Sequence, residues 1–75
     1  MNLLQAEHNK WYVVKTINID NTKTKIRLME LGLVCGVKIQ VKRKSLFKKT
    51  LLIVFACSCF TLKDNLANLI EVECE

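Results

Sequence analysis

Seventy-five residues with a net charge of +5 make one small domain, residues 1–75, near the size at which a single core buries only about 60% of the surface the unfolded chain exposes. The longest apolar run, Leu51 to Cys57, falls far short of the ~20 residues of a membrane helix, and Met1 to Lys10 has no cationic start followed by an apolar stretch. A cytoplasmic chain without membrane insertion is expected, and its four cysteines, lacking an export signal, read as reduced thiols rather than a disulfide framework.

Leu3 and Leu4 begin the chain as a short lid or first strand ahead of a polar turn over Gln5 to Lys10. From Trp11 the pattern has a period of two. Trp11, Val13, Ile17 and Ile19 share one parity, interrupted by Lys15, while Tyr12, Val14 and Thr16 hold the other, which predicts a strand with Trp11 in the core. Asp20-Asn21-Thr22 supplies turn and N-cap residues, after which Ile26, Met29 and Leu33, with Leu28 and Leu31 beside them, predict a short helix. Gly32 stands where that helix should stop, because glycine takes the left-handed C′ conformation without a Cβ clash.

Gly36 then introduces a strand with Val37, Ile39 and Val41 facing in and Lys38, Gln40 and Lys42 facing out. Lys44 to Thr50 reads as a hairpin loop, and Leu51, Ile53 and Phe55 resume an inward set. Phe60 and Leu62 have the opposite parity, so a tight turn is expected at Ala56-Cys57-Ser58. Asp64 is placed to cap one helical turn through Asn68, and Ile70, Val72 and Cys74 alternate inward against Glu71, Glu73 and Glu75. About five strands and one short helix predict an all-β chain folded as a small closed or nearly closed barrel.

The stretch Arg27-Leu-Met-Glu-Leu-Gly-Leu-Val-Cys-Gly-Val-Lys-Ile-Gln-Val41 switches from helical to strand periodicity with a glycine at each joint. It resembles the RL-x-x-(Leu/Met)-G-(Leu/Ile)-x-x-G-x-x-I-x-V pattern of the ferrous-iron transport protein A (FeoA) family. The likeness extends from Ile17 to Glu73, and Thr61-Leu62-Lys63, Ala67 and Ile70-Glu71-Val72 resemble the family's closing strand, helical turn and last strand. It departs at His8-Asn9-Lys10, where the family usually has Pro-Gly, at Cys35 in place of a proline, and at Cys57 in place of a hairpin glycine. The resemblance implies an SH3-like barrel and a non-enzymatic accessory protein of ferrous iron uptake, without a cofactor, that contacts the cytosolic side of the membrane GTPase transporter FeoB. A monomer or weak homo-oligomer is expected.

Two surfaces are the candidates for a partner. Met29, Leu31, Leu33 and Val34 crowd the end of the helix with more apolar side chains than one short helix buries on one face, although packing under the barrel would also account for them. Lys42, Arg43, Lys44, Lys48 and Lys49 surround Phe47 on one hairpin, a basic tip that suits an acidic protein surface. A nucleic-acid-binding barrel is the alternative, but that mode usually presents several exposed aromatic residues, and Trp11, Phe55 and Phe60 read as core. Cys57 and Cys59 form a C-x-C pair able to give two thiolates to a soft metal, which makes a thiol-based metal domain a third reading. Structural zinc sites show two close ligand pairs, however, and a free cysteine packs as a small hydrophobe. His8 has no nucleophile beside it in sequence, Glu71, Glu73 and Glu75 are explained by strand alternation, and neither Arg27 nor Arg43 stands out as an arginine finger.

Overall fold

The computed structural model describes residues 1–45, 47–55 and 58–75. After a single 3-10 turn (Leu3–Gln5) come β1 (Trp11–Ile17), α1 (Thr22–Glu30), β2 (Lys38–Ser45), β3 (Thr50–Phe55), β4 (Ser58–Lys63), α2 (Asp64–Ala67) and β5 (Ile70–Cys74). The strands form one antiparallel sheet in the order β4-β3-β2-β1-β5, strongly curved around its core but not closed, since β4 and β5 are its two edges.

The inner face is built from cross-strand rows. Tyr12, Ile39 and Phe55 stand opposite one another across β1, β2 and β3, and all three are buried. Leu51 with Leu62, and Val14 with Val72, extend the same surface, and Leu3, Leu28, Leu33 and Ala67 close it from the ends.

β1 corrects the expected parity. Tyr12 is 1% exposed and Trp11 41%, so the strand begins with the even positions inward. A bulge between Val14 and Thr16 then inserts Lys15 as an extra residue, after which Ile17 and Ile19 point inward. Tyr12 can bury because its hydroxyl accepts a hydrogen bond from the Glu7 amide at 2.9 Å, whereas Trp11 lies on the outer face opposite Gln40. That outer row of Trp11, Gln40 and Val54 also explains why Gln40, expected to face water, is only 6% exposed.

α1 begins where expected, with the Asn21 side chain accepting from the Thr24 amide at 3.1 Å. It ends in a Schellman motif: Gly32, at φ 103, donates to the Met29 carbonyl, and Leu33 donates to the Leu28 carbonyl. The reversal turns Leu33 back onto Leu28, and both are buried. In the turn before β1, Asn9 takes a positive φ of 62, the conformation a glycine would supply, and its amide donates to the Val41 carbonyl.

Other expectations are also corrected. Of the two alternatives for the first leucines, a short lid or a strand, the strand is excluded: they form a 3-10 turn capped by Asn2, with Leu3 buried. β2 runs through Ser45, so Lys44 and Ser45 belong to the strand and not to the loop. Asp64 is the first residue of α2 and makes no side-chain cap; its amide donates to the Lys49 carbonyl at 2.8 Å, tying the β2–β3 hairpin to α2. Cys74 is exposed rather than inward. Phe55 and Ser58 pair across β3 and β4, and the remainder of the expected turn, Ala56 and Cys57, lies outside the described residues.

Candidate docking surface

The Schellman turn sorts the apolar cluster at the end of α1. Leu33 is fully buried, which removes it from any contact surface, while Met29, Leu31 and Val34 stay exposed. Ile26 joins them: it is half-exposed and lies one helical turn before Met29 on the same face. The spacing of Ile26, Met29 and Leu33 marks the helix without saying which side is buried; α1 turns Leu28 inward and leaves the Ile26–Met29 side outside.

On the hairpin, the bulge between Val41 and Arg43 makes Lys42 the extra residue and shifts every later side chain by one position. Lys42 and Arg43 are exposed on the outer surface, as are Phe47, Lys48 and Lys49 beyond them. Lys44 instead falls opposite the buried Leu51, on the inner side, and its ammonium donates to the Leu4 carbonyl at 2.6 Å. Lys44 is therefore committed to holding the N-terminal turn, which corrects its place among the contact residues.

Arg43 and Lys48 line a shallow depression with Leu52 and Thr61 on the outer face of β2, β3 and β4. Thr61 also lines a larger groove of about 510 Å³ between α1 and β4. Its floor is apolar, with Leu28, Phe60, Leu62 and Leu66, and its cations are Lys23, Arg27 and Lys63. Among the described residues neither hollow has a carboxylate in its lining. The hairpin depression thus meets the α1 groove at Thr61, a juxtaposition that sequence reasoning missed because Lys23 and Lys63 line one groove only through the fold.

The carboxylates lie elsewhere. Glu71 approaches the Met1 ammonium at 3.6 Å, Glu73 approaches Lys15 at 3.3 Å, Glu75 pairs with Lys38, and Glu7 approaches Lys10 at 3.9 Å. The Cys74 side chain, followed by Glu7 and Tyr12, holds the Lys10 ammonium above the ordinary lysine range. No cluster of three or more potential metal ligands occurs among the described residues, and of the expected pair Cys59 is exposed while Cys57 lies outside them.

A small, open antiparallel sheet of five strands with one short helix packed at its end defines the class: an SH3-like domain. The FeoA domain family model matches residues 1–74, and the chain belongs to that family. The solution structure of a FeoA protein from Chlorobium tepidum is similar at 26% identity and a TM-score of 0.90, covering 99% of this chain and 70% of that one. The crystal structure of FeoA from Stenotrophomonas maltophilia, in complex with zinc, is similar at 25% identity and a TM-score of 0.81, covering 97% of this chain and 89% of that one. That protein is described as a prokaryotic SH3-domain protein and a candidate activating factor of ferrous iron transport. The cadmium-bound ScaR structure shares the fold at 22% identity and a TM-score of 0.83, covering 97% of this chain and 35% of that one. No curated protein matches the chain. Among the described residues no helix is long and apolar enough to cross a membrane.

Proposed function

We propose that this chain is a cytoplasmic accessory protein of ferrous iron uptake that docks on the cytosolic GTPase portion of a FeoB-type transporter and modulates it without taking part in its chemistry. Family membership supplies the transport context, and the exposed apolar side chains of Ile26 and Met29 on α1 and of Leu31 and Val34 just past its end are the observation that supports docking. Four large apolar side chains exposed within nine residues, Ile26 to Val34, are more than scattered surface exposure, and desolvating them against a partner is the main favourable term available to a domain this small. The basic hairpin tip at Lys42, Arg43, Phe47, Lys48 and Lys49 adds electrostatic attraction to an acidic partner.

The test is capture of the tagged chain from nuclease-treated native lysate at physiological salt, with mass spectrometry of what is bound. Selective recovery of the FeoB-type transporter, lost when Met29→Asp is used as bait, is the expected result. Recovery of nucleic acid alone when nuclease is omitted would replace this reading with that of a nucleic-acid-binding barrel, whose affinity falls steeply with salt.

A further inference from the structure

The two edges of the sheet are treated differently. The outer side of β5 is occupied at Glu71 and Val72, since Val72 donates to the Met1 carbonyl at 2.8 Å and Asn2 bridges Glu71. β4 has β3 on one side, and its other side borders the groove under α1. Among the described residues no backbone hydrogen bond outside the β3 ladder reaches Ser58–Lys63. An extended strand leaves alternate amides and carbonyls pointing away from its partner, so β4 presents unpaired polar backbone along the groove.

The groove is suited to a chain laid along that edge. Lys23 and Arg27 stand on the helix side and Lys63 on the strand side, and none of the three is in an ion pair among the described residues. Phe60 and Leu66 supply apolar floor between them. The hollow that shares Thr61 continues the positive surface to Arg43 and Lys48.

We infer that the β4 edge and the groove under α1 form a binding site for an extended acidic segment of a partner protein, which adds to β4 as a further antiparallel or parallel strand with its carboxylates against Lys23, Arg27 and Lys63. The inference rests on the docking role proposed above and assigns it a second contact, of stated chemistry, separate from the apolar face of α1. A second copy of this chain fits poorly: two β4 edges would bring like charges together, and the acidic β5 has its carboxylates paired and its outer side occupied at Glu71 and Val72. Nucleic acid is disfavoured because Phe60 is the one aromatic side chain in the lining and is half-buried, leaving little surface on which bases could stack.

The probe is a synthetic peptide of about eight residues alternating glutamate and valine, long enough to span β4 at ~3.4 Å per residue. It is titrated into the isotopically labelled full chain and followed by amide chemical shifts. Saturable shifts confined to Ser58–Lys63 and to Asn21–Leu28 are expected, weakening as salt rises. Arg27→Glu and Lys63→Glu should each weaken binding about five-fold, the size of one partly screened charge contact, while Lys48→Glu should weaken it less. Of two versions of the peptide, one N-methylated along each edge, at least one should also lose about five-fold or more, the value of a lost backbone hydrogen bond. Full affinity of both N-methylated versions, shifts confined to the hairpin tip or to Met29–Val34, tighter binding of a single-stranded oligonucleotide to the same amides, or no saturable binding would each overturn the site. The titration does not involve the transporter. Peptide binding without transporter capture would refute the docking reading alone, and capture that survives Arg27→Glu and Lys63→Glu unchanged, with no peptide binding, would refute the groove alone.

Discussion

The N-terminal clasp over β5 and the groove beside β4 are two solutions to the same problem, an edge strand with unpaired backbone. At β5 the chain spends its first residues on closure. Met1 and Asn2 supply backbone partners, Leu3 is fully buried, Lys44 reaches in to the Leu4 carbonyl, and Glu7 hydrogen-bonds the Tyr12 hydroxyl. At β4 nothing comparable is found among the described residues, and cations with an apolar floor line the groove beside it. The contrast separates an edge that is part of the folded structure from one that remains available to a partner, and it predicts that substitutions at the two edges will have effects of different kinds.

The largest difference should come from Leu3→Ala, which removes a fully buried side chain from the clasp and is expected to cost about 2–5 kcal/mol in urea unfolding. Met29→Ala on the exposed face of α1 should stay within about 0.5 kcal/mol by the same measurement. Equal costs would mean that the clasp is not what closes the β5 side. A middle-sized effect is expected from Tyr12→Phe, which keeps the ring but leaves the Glu7 amide without its acceptor, for a loss of about 1–2 kcal/mol. Unchanged stability there would show that water replaces the hydroxyl at no cost.

The smallest effect concerns pH. Lys10, raised above the ordinary value of 10.5 by Cys74, Glu7 and Tyr12, gains more from its surroundings in the folded state when it is charged. Its contribution is therefore fully present below pH 10.5 and is lost as pH rises through the folded-state value. Because the ammonium is solvent-exposed, the change should be small. Melting temperatures of the natural chain and Lys10→Met should differ slightly at neutral pH and converge at strongly alkaline pH, and a gap that widened there would reverse the sign.

Much of the fold could be read from the chain. The glycine stop at Gly32, the inward set of Leu51, Ile53 and Phe55, and the parity reset at Phe60 and Leu62 depend on local periodicity and appear where expected. What escaped was set by residues that break the period. The bulges at Lys15 and Lys42 each exchange the two faces of a strand, and only the pairing with β5 or β3 reveals them. The interruption at Lys15 was visible, but a tryptophan and a tyrosine at successive positions offered two plausible inward residues, and the choice fell to the Glu7 hydrogen bond. The candidate surface was legible to the same limited degree. The cations and apolar residues were evident, but whether Leu33 or Leu31 faces out depends on the turn geometry, and whether Lys44 is available depends on a carbonyl 40 positions away. The groove under α1, assembled from one side of a helix and the second part of a later strand, left no local pattern at all.

One hydrogen bond also bears on how this family's loops can vary. The Lys49 carbonyl, on a residue with a φ of 51, accepts the amide that begins α2, so the end of the β2–β3 hairpin doubles as the anchorage of a helix far along the chain. A loop bearing such a second duty loses its freedom of length. Insertions placed next to Lys49 would have to move α2 with them, whereas changes of side chain at Phe47 and Lys48 leave the anchorage in place, so in this hairpin diversity is expected in composition before it is found in size.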